Sequence, residues 1–243
     1  MMKYSIRSYI GTRAEQQDSA DAVVSEKGIF AVLCDGMGGR KYGADISRTV
    51  VDEICFRYSH SDGPEFIPFM TKQTEEFDRK IGDIFKDRGG TTLVSVFVDN
   101  EGYVSWFSLG DSRSYLIRKG SLVQLTDDHN YFSLLDERLA KGLITEQYYN
   151  QEAHRGHALT SFLGVNGISQ TCSSSNSFRL EAEDTLLLTS DGLYNALPPE
   201  MIAELLSSEN DTEKAADLLI DRVRSIKDRA VDNTTFILIR IGV

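Results

Sequence analysis

The chain has 243 residues, of which 41% are hydrophobic, and a formal net charge of −11. That apolar content suffices for one large core, so a single domain over 1–243 is expected, and the acidic balance counts against a nucleic-acid binder. Cys34, Cys55 and Cys172 have neither zinc-ligand spacing nor the even count of a disulfide framework, which suits a reducing, cytoplasmic setting; no stretch approaches the ~20 apolar residues of a membrane span, and Met1–Arg7 carry no apolar signal core.

In chain order, strands are expected at 3–10 and 28–34, with a polar loop between them that carries Arg13 and Asp18. The apolar run Ile29–Cys34 ends in Asp35-Gly36-Met37-Gly38-Gly39, so a buried strand delivers one carboxylate to the lip of a sheet. Glycine there lets the backbone turn sharply and approach a ligand closely. Helices are expected at 42–58, with Ile46, Val50, Val51, Ile54 and Phe56 mostly on one face, and at 65–87, where an aromatic stripe reads as a core face.

Gly89-Gly90 breaks the chain, and strands follow at 91–98, 103–109, 114–118 and 122–125. Asp99-Asn100-Glu101-Gly102 and Lys119-Gly120-Ser121 are hairpin turns, which argue for antiparallel sheet. The segment 127–167 is polar, rich in Tyr and His and partly helical, and is expected to be a mobile, flap-like insertion beside the strand ends. Strands near 168–172, 177–180 and 184–190, helices at 198–207 and 211–227, and a final strand at 233–241 complete the chain.

Four strand ends carry the same chemistry: Asp35-Gly36, Gly110-Asp111, Ser190-Asp191-Gly192 and Asp232-Asn233. Converging carboxylates repel unless cations lie between them. With no Cys or His in the spacing, the ligands are hard oxygens that favour Mg²⁺ or Mn²⁺. Two such ions can activate a water, and a nearby arginine can hold an oxyanion. The chemistry indicated is phosphoryl transfer to water.

These segments, read in order, resemble the metal-dependent Ser/Thr protein phosphatases of the 2C type (the PPM family), bacterial members in particular. The matching segments are Arg13–Ser19, Asp35–Gly39, Gly90–Val94, Gly110–Leu116, Leu125–His129, Ser190–Leu193 and Asp232–Thr235. The resemblance implies an α+β fold, a four-layer α-β-β-α sandwich of two mainly antiparallel sheets. It implies Mn²⁺ or Mg²⁺ as cofactor, two ions per chain, with a weaker third. Asp35 would bridge both ions and the Gly36 carbonyl would complete the second site. Asp191 and Asp232 would hold the first ion, Asp18 would sit at the second, and Asp111 with Asp191 would form the third. Arg13 would grip the phosphate, and a hydroxide between the metals would attack phosphorus with no phosphoenzyme intermediate.

The substrates so implied are phosphoserine and phosphothreonine proteins, acted on by a monomeric signalling enzyme that opposes a bacterial Ser/Thr kinase. Met37 stands where eukaryotic relatives place a histidine acid, Gln16 where bacterial members have Asn, Asn195 where an Asp is usual, and Ser161-Phe162 where an Arg commonly precedes Leu-Gly. For Ser112, Arg113 and His129 a structural role is expected. Two rival readings are a phosphoprotein-binding domain without turnover, and a different metal phosphoesterase such as a nuclease.

Overall fold

The structure is a computed structural model that describes residues 2–37, 42–86 and 88–242. Gly38 and Gly39, which complete the Asp35–Gly39 sequence segment, lie outside the described residues. Eleven strands and seven α-helices occur among those described. One sheet runs in the order β1 (Met2–Tyr9), β11 (Thr234–Ile241), β10 (Thr185–Thr189), β6 (Arg113–Arg118), β7 (Ser121–Gln124). The other runs β2 (Asp18–Ser25), β3 (Gly28–Asp35), β4 (Leu93–Asp99), β5 (Tyr103–Leu109), β8 (Cys172–Ser173), with β9 (Phe178–Arg179) also on β5. Every pairing is antiparallel.

Side-chain alternation builds the layers. Ile29, Ala31 and Leu33 of β3 face Leu186, Leu188, Ile237 and Ile239 of the other sheet and form the central core. Phe30, Val32 and Cys34 point the opposite way, against α1 (Gly43–Ser59) and α2 (Phe66–Phe85). Leu187, Phe236 and Leu238 pack outward against α6 (Pro199–Ser208) and α7 (Thr212–Arg224). Buried on both faces, β3 and β10 read as continuous apolar runs rather than alternating ones. The result is helix, sheet, sheet, helix, as the hairpin turns and the family resemblance led one to expect.

Three expectations need correction. The stretch read as a polar loop carrying Asp18 is loop only as far as Gln17; Asp18 opens β2, an edge strand paired along its length with β3. The strand near 168–172 shrinks to Cys172–Ser173. Phe56 lies on the solvent side of α1, 62% exposed and stacked on His60.

The 127–167 segment, expected to be mobile, is hydrogen-bonded at both roots. It holds α3 (Tyr131–Ala140), α4 (Glu146–Glu152) and a 3₁₀ turn at Ala153–Arg155, with Leu135 fully buried. His129 N donates to Gly110 O, and Leu163 and Thr91 exchange both backbone bonds. Just beyond, Asp78 of α2 accepts from the amides of Gly164, Asn166 and Gly167 at 2.8, 3.1 and 2.7 Å. A buried carboxylate satisfied by three amides ties the returning chain to a helix of the core.

Candidate metal centre

All the acids singled out by the sequence lie at one end of the sandwich. Asp35 ends β3, and the β2–β3 register sets Asp18 directly opposite it. Asp111 follows β5 across Gly110, whose φ of +99° suits a residue without a side chain. Asp191 opens the short helix α5 (Asp191–Ala196) at the end of β10, and Asp232 precedes β11. A cavity of about 560 Å³ is lined by Arg13, Asp35, Gly36, Asp111, Asp191 and Asp232, together with Gln17, Met37, Thr92, Asn233 and the 157–159 segment. Asp18 lies behind this lining, 8% exposed.

The backbone fixes these positions. Gly36 N donates to Gln17 O at 2.9 Å and Met37 N to Gly90 O at 3.0 Å. A Cβ on Gly36 would come within 2.4–2.6 Å of the Gly43 and Gln17 backbones, so only glycine fits. Asp35 N donates to Thr92 Oγ1, and Thr91 Oγ1 donates to Asp35 O. Asn233 ties down the Arg13 loop: its Oδ1 accepts from Gln17 N, and its Nδ2 donates to Ile10 O and Glu15 O. Gln16 contributes to the same loop, accepting from Asp18 N and donating to Ser8 Oγ.

Electrostatically the cluster is unfavourable to itself. Burial, and then repulsion from Asp18, Asp191, Asp111 and Asp232, holds the Asp35 carboxyl well above the usual carboxylate range. Burial raises Asp18 and Asp111 to about 7. It raises Asp191 to about 6, with Asp232 adding to the shift and His157 opposing it. Asp18 Oδ2 accepts from Ser190 Oγ at 2.8 Å, whereas Asp18 Oδ1 is buried without any hydrogen-bond partner.

Such orphaned, mutually repelling oxygens fit divalent cations with oxygen ligands. Among the described residues, no three acids already converge as a closed cage. The carboxylates instead engage neighbours: Arg13 Nη2 donates to Asp232 Oδ2 at 2.5 Å, and Asn195 Nδ2 to Asp191 Oδ2 at 3.2 Å.

The other residues singled out engage partners within the fold. Ser112 Oγ shares a hydrogen bond with Thr92 Oγ1. Arg113 forms a two-point ion pair with Asp128 and stacks over Tyr194, whose hydroxyl donates to Asp111 O. The buried His129 accepts from Gly110 N through Nδ1, and desolvation lowers its pKa. Ser161 donates to Gln170 O. His157 lines the cavity although nothing in its sequence neighbourhood marks it; only the pairing of 129–132 with 156–160 brings it there.

A family model, protein phosphatase 2C, matches residues 7–226. A serine/threonine phosphatase, stp, of Listeria welshimeri is 30% identical over 219 residues, covering 86% of this chain and 83% of that protein. The Streptococcus agalactiae serine/threonine phosphatase structure superposes with a TM-score of 0.85 at 26% identity, covering all of both chains. The catalytic domain of the protein phosphatase PstP, solved with two manganese ions, gives 0.76 at 25% identity over 100% and 99% of the two chains.

Proposed function

The chain belongs to the protein phosphatase 2C family, and from that premise we propose how its own residues carry out the reaction. It is a metal-dependent protein serine/threonine phosphatase, as its named relatives are. The observation that carries the mechanistic reading is the cluster of buried acids around Asp35, with Asp18 Oδ1 left unpartnered.

In this reading two divalent ions, Mn²⁺ or Mg²⁺, are held by Asp18, Asp35 and the Gly36 carbonyl from one sheet and by Asp191 and Asp232 from the other. The PstP neighbour with its two manganese ions supports that number. Asp111, beside Asp191 and Asn195, offers a weaker third position, since an amide donates to Asp191 where a carboxylate would add a ligand. When bound, the ions supply a nucleophilic water at neutral pH and offset charge on the phosphoryl oxygens.

The protein's own groups orient the phosphate. Arg13 is half exposed over the acids and gives one nitrogen to Asp232, which leaves further guanidinium N–H groups for phosphate oxygens. Met37 lines the cavity and its thioether has no proton to donate. We read the whole chain as one domain, with 127–167 as its flap, and phosphorylated proteins, a Ser/Thr kinase among them, as its substrates. The cytoplasmic, monomeric state is part of the same proposal; among the described residues, no helix is long and apolar enough to cross a membrane.

The reading is tested by phosphate release from a phosphothreonine peptide with Mn²⁺ and with chelator. Metal-dependent release from the peptide, and none of nucleotides from plasmid DNA, is expected. Peptide binding without release in either condition would instead indicate a binding domain.

A second expectation concerns Arg13→Ala. Loss of a charge-assisted contact worth about 1.5–3 kcal/mol should raise the KM for phosphopeptide on the order of tenfold or more. Mn²⁺ affinity by calorimetry should hold or tighten, because Asp232 is released from its ion pair. Parallel loss of metal binding would assign Arg13 to the metal site instead.

A further inference from the structure

Cleavage of a serine or threonine phosphate expels an alkoxide, a poor leaving group that needs a proton. Of the side chains lining the cavity, Asp35, Asp111, Asp191 and Asp232 are committed to cations in the reading above, Glu15 accepts from Gln17 Nε2, Arg13 does not release its proton, and Met37 has none to give. One histidine is present there, and histidine is the residue type suited to proton transfer near neutral pH.

The chain has four histidines, and three are accounted for elsewhere. His60, just past the end of α1, stacks on Phe56, His129 is buried against Gly110, and His154 meets Gln151 O. His157 is exposed at the cavity wall, near enough to Asp191 to act on its charge. Its ring meets that of Phe132 edge-on at 5.1 Å.

The backbone on both sides of His157 is clamped. Tyr131 N donates to Ala158 O and Phe132 N to Gly156 O, both at 2.9 Å. These are first-turn amides of α3, which lack partners inside their own helix. Gly156 N and Ala158 N close onto Ala153 O and Arg155 O. A Cβ on Gly156 would lie 2.1–2.3 Å from the Phe132 ring, so a glycine is required for the ring to seat against this turn. A helix N-terminus, an aromatic ring and a glycine thus fix the place of one imidazole at the wall of the phosphate cavity.

We propose that His157 is the proton donor to the leaving oxygen. The proposal rests on the phosphatase reading above. As water oxygen bonds to phosphorus, the P–O bond to serine or threonine breaks and its electron pair stays on the side-chain oxygen. That oxygen takes a proton from the His157 imidazolium, giving the free hydroxyl; the attacking water keeps one proton on the inorganic phosphate and releases the other to solvent, from which His157 is reprotonated.

The test is His157→Asn measured on a series of phosphate monoesters, from p-nitrophenyl phosphate through phenyl to alkyl phosphates, and on a phosphothreonine peptide. General acid catalysis contributes about 10²–10⁴ in rate. The variant should therefore lose on the order of 100-fold in kcat on the peptide and the alkyl esters, but less than about threefold on p-nitrophenyl phosphate, which needs no proton. The plot of log kcat against leaving-group pKa should steepen. Gly156→Ala, which displaces the turn, should steepen it in the same direction. Equal losses across the series, or no loss, would overturn the assignment. A wild-type protein that turns over the ester series but not the phosphopeptide would overturn the protein-phosphatase reading and leave His157 to be judged on the esters.

Discussion

Asp35→Asn is expected to abolish phosphopeptide hydrolysis while making the metal-free protein more resistant to heat. The activity loss follows from removing the acid at the centre of the cluster. Metal ions supply several kcal/mol of transition-state stabilisation, and each 1.36 kcal/mol is tenfold in rate, so kcat should fall on the order of 10³-fold or more.

The stability gain has a separate origin. The Asp35 carboxyl is desolvated and repelled by Asp18, Asp191, Asp111 and Asp232. A neutral amide of the same shape removes that repulsion. Its backbone ties to Thr91 and Thr92 do not involve the side chain and stay intact. Calorimetry in chelator together with single-turnover kinetics checks both halves. A variant that is inactive and several degrees less stable would make Asp35 a fold residue instead of a ligand.

The second large effect is the response of the metal-free protein to pH. Asp18 and Asp111 sit near 7 and Asp191 near 6, all above their ordinary 3.8. Between pH 4 and 7 the native state therefore holds more protons than the unfolded one. Stability is greatest below that window and falls as pH rises through it. For one carboxyl held at about 7, the loss by pH 8 is on the order of 4 kcal/mol. In a chain of this size that corresponds to a midpoint about 10 °C lower.

Saturating Mn²⁺ binds the ionised acids and should restore the midpoint, with a larger shift at pH 8 than at pH 5. Scans in chelator and in Mn²⁺ at the two pH values read this directly. A metal-free midpoint that does not fall between pH 5 and 8 would mean that the acids are not buried together as described.

Much of this was legible from residue order. The strands ending at Asp35 and before Asp191 are buried on both faces, and their apolar runs announce them. The β4–β5 and β6–β7 hairpins are marked by Gly, Asn and Asp turns. What the sequence hid was local structure that only pairing creates.

Strand β2 reads Asp-Ser-Ala-Asp-Ala-Val-Val-Ser, an edge strand that is half solvated, with no apolar signal of its own. Its partner β3 makes it a strand, and only the register reveals that Asp18 and Asp35 are opposite each other. Helix α5 has six residues, too few for a 3.6-residue period to show. His157 was missed because its place depends on contacts between residues some 25 positions apart. Polar composition describes the surface of residues 127–167, whereas their attachment to the sheets runs through main-chain bonds that composition does not encode.

The pairing of β1 with β11, from Met2 opposite Ile241 to Tyr9 opposite Thr234, also dictates when the centre can exist. The β2–β3 and β4–β5 hairpins can zip locally, while β11 must pair with β1 across more than two hundred residues. Contacts of that separation form late and slowly. On a ribosome, Asp18, Asp35 and Asp111 emerge and settle while Asp191 and Asp232 are still unmade. In the reading proposed above, the centre stays incomplete until β11 is threaded beside β1, so the order of the chain delays its assembly.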